Sequence, residues 1–324
     1  MLPDASESDF ESVLLVVLAV VTVAVTVMSI SGRLSAWSSH SEGGAKARPV
    51  IPMAEAYVVK ENGKRCFKPI ADHFTTLAQV QHALRDAGLE SSDLIVGVDF
   101  TKSNLWQGEK SFGGKCLHHL DERGGHATCF SNPYERVIAV LGRTLEDFDD
   151  DRKIPAFGFG DASTRDKGIF TMNDSGPCHG FRGVLESYRG TVNKVRLAGP
   201  TNFAPLIDTA ANIARVERSF HILLIIADGQ VTNKQATIDS IVRASEDAPL
   251  SIVMVGVGDG PWDCMEEFDD QLPQRRWDNF QFVGFGTSHR GATEEERDAK
   301  FAMKALMEIP AQFKVIKSLG FLSG

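Results

Sequence analysis

A small set of side chains, each placed just beyond an apolar run, has the chemistry of a site for a hard divalent cation. Asp99, Thr101 and Ser103 end the stretch LIVGVDFTKSN, Thr201 lies in AGPTNFAP, and Asp228 closes HILLIIAD. Mg²⁺ takes an octahedron of oxygens, keeps several waters and uses few protein carboxylates. A loop spelled Asp-x-Thr-x-Ser offers one acid and two hydroxyls at alternate positions, so their oxygens can face one ion. Thr201, at the mouth of a helix, adds a further hydroxyl. Asp228 adds a second acid from a neighbouring strand end. Each has an ordinary reading when taken alone: Asp99 as a cap or turn residue, Asp228-Gly229 as a turn signal. Joint occurrence at strand ends favours the metal site.

That placement demands a particular scaffold. The runs LIVGVD, 154–159, 221–229 and 250–260 are uninterrupted apolar segments, which reads as strands buried on both faces. Between them, 75–87, the segment opening at Asn132-Pro133, 203–216 and 234–247 carry apolar residues at helical spacing. A last strand is expected at 280–285 and a last helix at 294–308. The alternation predicts an α/β fold with a doubly wound, mostly parallel sheet. Such sheets bind ligands beyond the carboxyl ends of strands, near the switch in strand order. The candidate residues occupy those ends.

The bulk properties exclude other classes. With 34 Lys and Arg against 43 Asp and Glu, the net charge of −9 leaves no basic surface for nucleic acid. The five cysteines, Cys66, Cys116, Cys129, Cys178 and Cys264, match neither a zinc-knuckle spacing nor a disulfide framework, which favours reduced thiols and a cytosolic main domain. Residues 13–30, VLLVVLAVVTVAVTVMSI, carry no charge and are expected to form a single transmembrane helix behind a short acidic tail, 1–12. A cleaved signal peptide is disfavoured by the acidic leading residues. Arg33, Lys46 and Arg48 place the bulk of the chain on the cytosolic side. Residues 31–69 read as a tether and lead-in, 70–310 as the folded domain, and 311–324 as a tail. The expected localisation is therefore a single-pass membrane protein with its domain in the cytosol.

Other polar groups receive weaker readings. Asp161, Ser163 and Thr164 fit a cap as well as the rim of a site. His118, His119 and His126 lie in a Gly-rich stretch, GGKCLHHLDERGGH, that reads as a surface loop rather than a zinc site. Cys178-His179 lacks an orienting acid for nucleophilic catalysis. Thr101 stands where Asp-x-Asp phosphoryl transfer needs a second carboxylate, and no phosphate loop is present.

The set Asp99, Thr101, Ser103, Thr201 and Asp228 resembles the metal-ion-dependent adhesion site of von Willebrand factor A domains, with Thr101 replacing a serine. The stretches DFTKSN, NPYERVIAVLGRTLEDFD, IPAFGFGDAS, LAGPTNFAPLID and HILLIIADGQVT are similar to the copine-type A domain. The segment LAQVQHALRDAGLESSDLIVGVDFTKSN is most similar to its form in plant RING-type ubiquitin ligases related to copines. The resemblance spans about residues 70–285. It implies Mg²⁺ or Mn²⁺, with Ca²⁺ less favoured, and a protein partner that supplies an acidic side chain to the ion. The membrane segment would then anchor an adaptor or scaffold. Neither the paired C2 domains of copines nor a RING finger is recognised in the chain. The expectation is a binding module without autonomous enzymatic activity, and the alternative is a component of protein ubiquitination.

Overall fold

The computed structural model describes residues 74–121, 130, 132–229, 231–270, 272, 275–288 and 291–322, with two short strands before them. Those strands, β1 (Tyr57–Val59) and β2 (Arg65–Phe67), pair antiparallel inside the segment expected to be tether. The apolar run 13–30 lies outside the described residues. Among the described residues no helix is long and apolar enough to cross a membrane.

The central sheet uses β3 (Asp93–Asp99), β5 (Ala156–Phe159), β6 (Ile169–Thr171), β8 (His221–Ala227), β9 (Leu250–Gly256) and β10 (Phe280–Gly284), in the order β10-β9-β8-β3-β5-β6. All neighbours run parallel except the edge strand β6, which is antiparallel to β5. A small antiparallel pair, β4 (Lys153–Ile154) with β7 (Cys178–His179), lies beside it in sequence. From β3 the chain adds β5 on one side and later returns to add β8 on the other. The carboxyl ends of β3 and β8 therefore flank the switch in strand order, where an open α/β sheet presents its binding crevice.

Period-two alternation assigns the strand side chains to two cores. Leu94, Val96, Val98, Ile222, Leu224 and Ile226 face one layer of helices: α1 (Leu77–Asp86), α2 (Pro133–Leu145), α3 (Gly180–Val192), α7 (Glu294–Leu306) and α8 (Ile309–Leu319). Ile95, Leu223, Ile225, Ile252 and Met254 face the other: α4 (Ala204–Glu217), α5 (Lys234–Asp247) and α6 (Asp263–Asp270). Two apolar layers explain why β8 and β9 are uninterrupted apolar runs, buried throughout. Gly97 permits close helix approach, because a Cβ there would lie 2.2 Å from Leu206 Cδ2 of α4.

Two boundaries differ from expectation. Residues 311–324, expected to be a tail, are largely helix α8, whose Ile309, Phe313 and Ile316 are buried. Their i, i+4 and i+3 spacing is a helical stripe, and Phe313 packs edge-on against Phe220 with ring centroids 5.3 Å apart. Helix α3 and strand β6 also arise in the stretch 160–200, where Gly and polar residues obscure the periodicity.

Candidate metal centre

Asp99 is the last residue of β3, and Asp228 follows the last residue of β8. The register Val98↔Ile226 brings these two strand ends side by side. Both carboxylates have no solvent exposure. Beyond Asp99 the chain turns into a 3₁₀ segment, Lys102–Leu105, which carries Ser103. The Thr101 amide donates to Asp99 Oδ1 at 2.7 Å, fixing the turn, and the Thr101 and Ser103 hydroxyl oxygens lie 2.8 Å apart. The segment before α4 runs alongside this loop: Thr101 bridges Ala198, and the Lys102 amide donates to the Ala198 carbonyl at 2.7 Å. Thr201, three residues on and nearly buried, is thereby carried to the same end of the sheet.

The electrostatics of this group are unfavourable as the protein alone. Burial, followed by the neighbouring Asp228 charge, pushes Asp99 well above the ordinary carboxylate range. Burial pushes Asp228 up to about 6, with the nearby Ser103 hydroxyl pulling it back. That hydroxyl does not complete a hydrogen bond of normal geometry to Asp228. Asp99 Oδ2 and both Asp228 oxygens have no hydrogen-bond partner among the described residues. Buried acceptors without donors cost free energy, and adjacent buried like charges add to that cost. A divalent cation would relieve both penalties, so the residues fit such an ion. Asp99, Thr101, Ser103, Thr201 and Asp228 would hold it, and the ion would supply an electrophilic position for an incoming oxygen.

The loop is held from beneath by groups that are not themselves candidate ligands. Asn104 is fully buried and donates from Nδ2 to the Thr101 carbonyl at 3.1 Å and the Asp99 carbonyl at 3.4 Å. Its Oδ1 accepts from the Tyr134 hydroxyl at 2.7 Å. His118 Nε2 lies 2.8 Å from the Asp99 carbonyl and Nδ1 lies 2.8 Å from the Tyr188 hydroxyl. A carbonyl can only accept, so Nε2 carries the proton and Nδ1 accepts from Tyr188. The imidazole stacks between Phe100, at 4.8 Å, and Tyr134, at 4.3 Å. Burial pushes its pKa down to about 3, which keeps it neutral.

Residues 116–323 of the chain match the copine family. The chain belongs to the copine family. This copine-family chain has relatives among ubiquitin ligases and copines. It is 47% identical over 304 residues to E3 ubiquitin-protein ligase RGLG4 of Arabidopsis thaliana, covering 89% of this chain and 73% of that protein. It is 50% identical over 275 residues to E3 ubiquitin-protein ligase RGLG1 of the same plant, covering 80% and 54%. To Copine family protein 2 of Caenorhabditis elegans it is 48% identical over 254 residues, covering 77% of this chain and 3% of that protein. A solved von Willebrand factor type A structure from Catenulispora acidiphila is similar at 12% identity and a TM-score of 0.41, covering 67% and 43%.

Several readings of single residues in this copine-family chain change with the structure. His118, expected on a surface loop, is buried in the aromatic stack, because Phe100, Tyr134 and Tyr188 close around it. His119 is half-exposed beside Asp121, and His126 lies outside the described residues. Asp161 caps its own turn, accepting from the Ser163 and Thr164 amides at 3.1 and 3.0 Å and from both hydroxyls. Asp259 accepts from the amides of Lys110 and Ser111, both at 2.8 Å, and so tethers the loop beyond the metal turn. The supports Asn104, Tyr134 and His118 carried no signal at the level of spacing; a polar residue at a buried helix face, as Tyr134 is, was the available clue.

Proposed function

We propose that the domain is a metal-dependent protein-binding module that acts as an adaptor or scaffold. Asp99, Thr101, Ser103, Thr201 and Asp228 hold Mg²⁺ or Mn²⁺, and the ion accepts an acidic side chain from a partner protein. The observation that carries this reading is the trio of buried carboxylate oxygens, Asp99 Oδ2 and both Asp228 oxygens, without a protein partner. The surface beside them supports a docking role. Leu105 and Trp106, immediately beyond the metal turn, are 46% and 56% exposed. Large apolar side chains next to a charged anchor point are the composition of an interface core. In this reading the run 13–30 anchors the module to a membrane, and the domain faces the cytosol.

The test is Mn²⁺ titration of the purified chain, followed by paramagnetic resonance of the free ion. One bound ion per chain is expected, lost in Asp228→Asn and in Asp99→Ala. Equal Mn²⁺ binding by wild type and both variants overturns the reading.

A second reading is supported by the identity of 47% and 50% to proteins named as ubiquitin ligases. Here the domain selects substrates or companions for ubiquitin transfer. Reconstituted ubiquitination with and without the chain separates this role from a scaffold that leaves transfer unchanged.

A further inference from the structure

A second convergence of donor atoms lies at the other ends of the same two strands. Asp93 begins β3, His221 begins β8, and the two are register partners. Glu217 ends α4, a few residues before His221. Asp93, Glu217 and His221 each present one ligand atom, and these atoms lie within 4.8 Å of one another.

The tautomer of His221 gives this cluster its meaning. The Ser219 hydroxyl donates its proton to Asp93 Oδ2 at 2.5 Å. Nδ1 of His221 therefore faces two acceptors, the Ser219 carbonyl at 3.0 Å and the Ser219 oxygen at 3.4 Å. Nδ1 must carry a hydrogen, which directs Nε2 toward the two carboxylates. Nε2 lies within hydrogen-bond distance of Glu217 Oε2, 3.0 Å away, with Asp93 Oδ2 at 3.8 Å. The imidazole is only 2% exposed, while the Asp93 and Glu217 side chains are 30% and 54% exposed and leave the cluster open to an ion from solvent.

We propose that Asp93, Glu217 and His221 form a second metal site, for Zn²⁺, with the remaining position left to water. Tetrahedral Zn²⁺ with ligands at about 2.0–2.2 Å separates donor atoms by roughly 3.4 Å, and the observed 3.0 and 3.8 Å straddle that value. A histidine that gives its other N–H to a backbone carbonyl has the outer-shell arrangement usual for a zinc ligand. The nitrogen donor selects Zn²⁺ over Mg²⁺ or Ca²⁺, which prefer oxygen alone. Asp149 and Asp151 place further carboxylates near Asp93 and favour cation entry. The ion would clip the end of α4 to the start of β8, closing the short connection between them.

Metal-stripped full chain carrying Asp99→Ala and Asp228→Asn, which lacks the first centre, is titrated with Zn²⁺ against a chromophoric chelator and separately with Co²⁺. The expected result is one bound Zn²⁺ and tetrahedral Co²⁺ absorption bands without thiolate charge transfer. Adding Glu217→Gln, at a side chain 54% exposed, should weaken Zn²⁺ at least about 10-fold and abolish the bands. His221→Asn should do the same, and its far-UV circular dichroism reports whether it folds. Unchanged Zn²⁺ affinity in Glu217→Gln overturns the proposal and leaves a protonated His221 held by two carboxylates. Thiolate bands overturn it too, by assigning the ion to cysteine.

Discussion

The Tyr134 hydroxyl donates to Asn104 Oδ1 at 2.7 Å, and through that bond helix α2 grips the turn that carries Thr101 and Ser103. Asn104 spends its two amide hydrogens on the carbonyls of Asp99 and Thr101. One side chain thus ties both arms of the metal turn to the core. Asn104→Ala leaves the Tyr134 hydroxyl unpaired and removes one of the bonds to each of the Asp99 and Thr101 carbonyls, at a cost of about 2–4 kcal/mol. Tyr134→Phe, which removes one bond of the same set, should cost about 1 kcal/mol. Chemical denaturation measures both, and the Asn104 variant is expected to lose more Mn²⁺ affinity than stability alone accounts for.

The buried acid pair sets a pH dependence. Folded-state pKa values above the unfolded carboxylate value mean that the folded chain holds more protons across that interval. Stability from this source is present below about pH 4 and is lost as pH rises through about 6, where Asp228 ionises. Thermal melts in chelator should show this loss. Asp228→Asn should remove most of it and be more stable than wild type at pH 7 without metal. Mg²⁺ should reverse the order at pH 7, since binding displaces the protons.

His118 should remain in the neutral Nε2–H form between pH 8 and 5, because its pKa lies near 3. Nitrogen chemical shifts of the imidazole measure this directly. A protonation midpoint near 6.5 would contradict the buried stack.

Gly97→Ala should destabilise the domain by about 1–3 kcal/mol, since the new methyl meets Leu206 Cδ2 at 2.2 Å. Leu206→Ala in the same chain should recover part of the loss. Non-additivity in that double-mutant cycle is the measurement.

Much of this arrangement was legible before any coordinates. The uninterrupted apolar runs at 94–98, 221–227 and 250–256 can only be strands covered on both sides, and the acids that follow β3 and β8 then fall at the switch point. What stayed hidden depends on three-dimensional closure. Nothing in the spacing of His118 separates a surface loop from a ring sandwiched between Phe100 and Tyr134. The role of Asn104 required knowing that α2 passes beneath it. His221 lies in sequence at the head of an apolar run, and its register with Asp93 adds a carboxylate beside it. Residues 311–324 read as a tail in sequence because Lys and Ser interrupt a short stripe that α8 buries against Phe220.

That last contact reaches further than the boundary it corrects. Phe220 stands directly before β8, and the other end of β8 delivers Asp228. Phe313, as the wedge under Phe220, braces the strand that carries the candidate ligand Asp228 at its other end. A fragment cut at residue 310 would keep every candidate ligand and lose that brace. For expression, crystallisation or fusion, a tag spliced in before Leu319 would interrupt helix α8 and the buried stripe it carries.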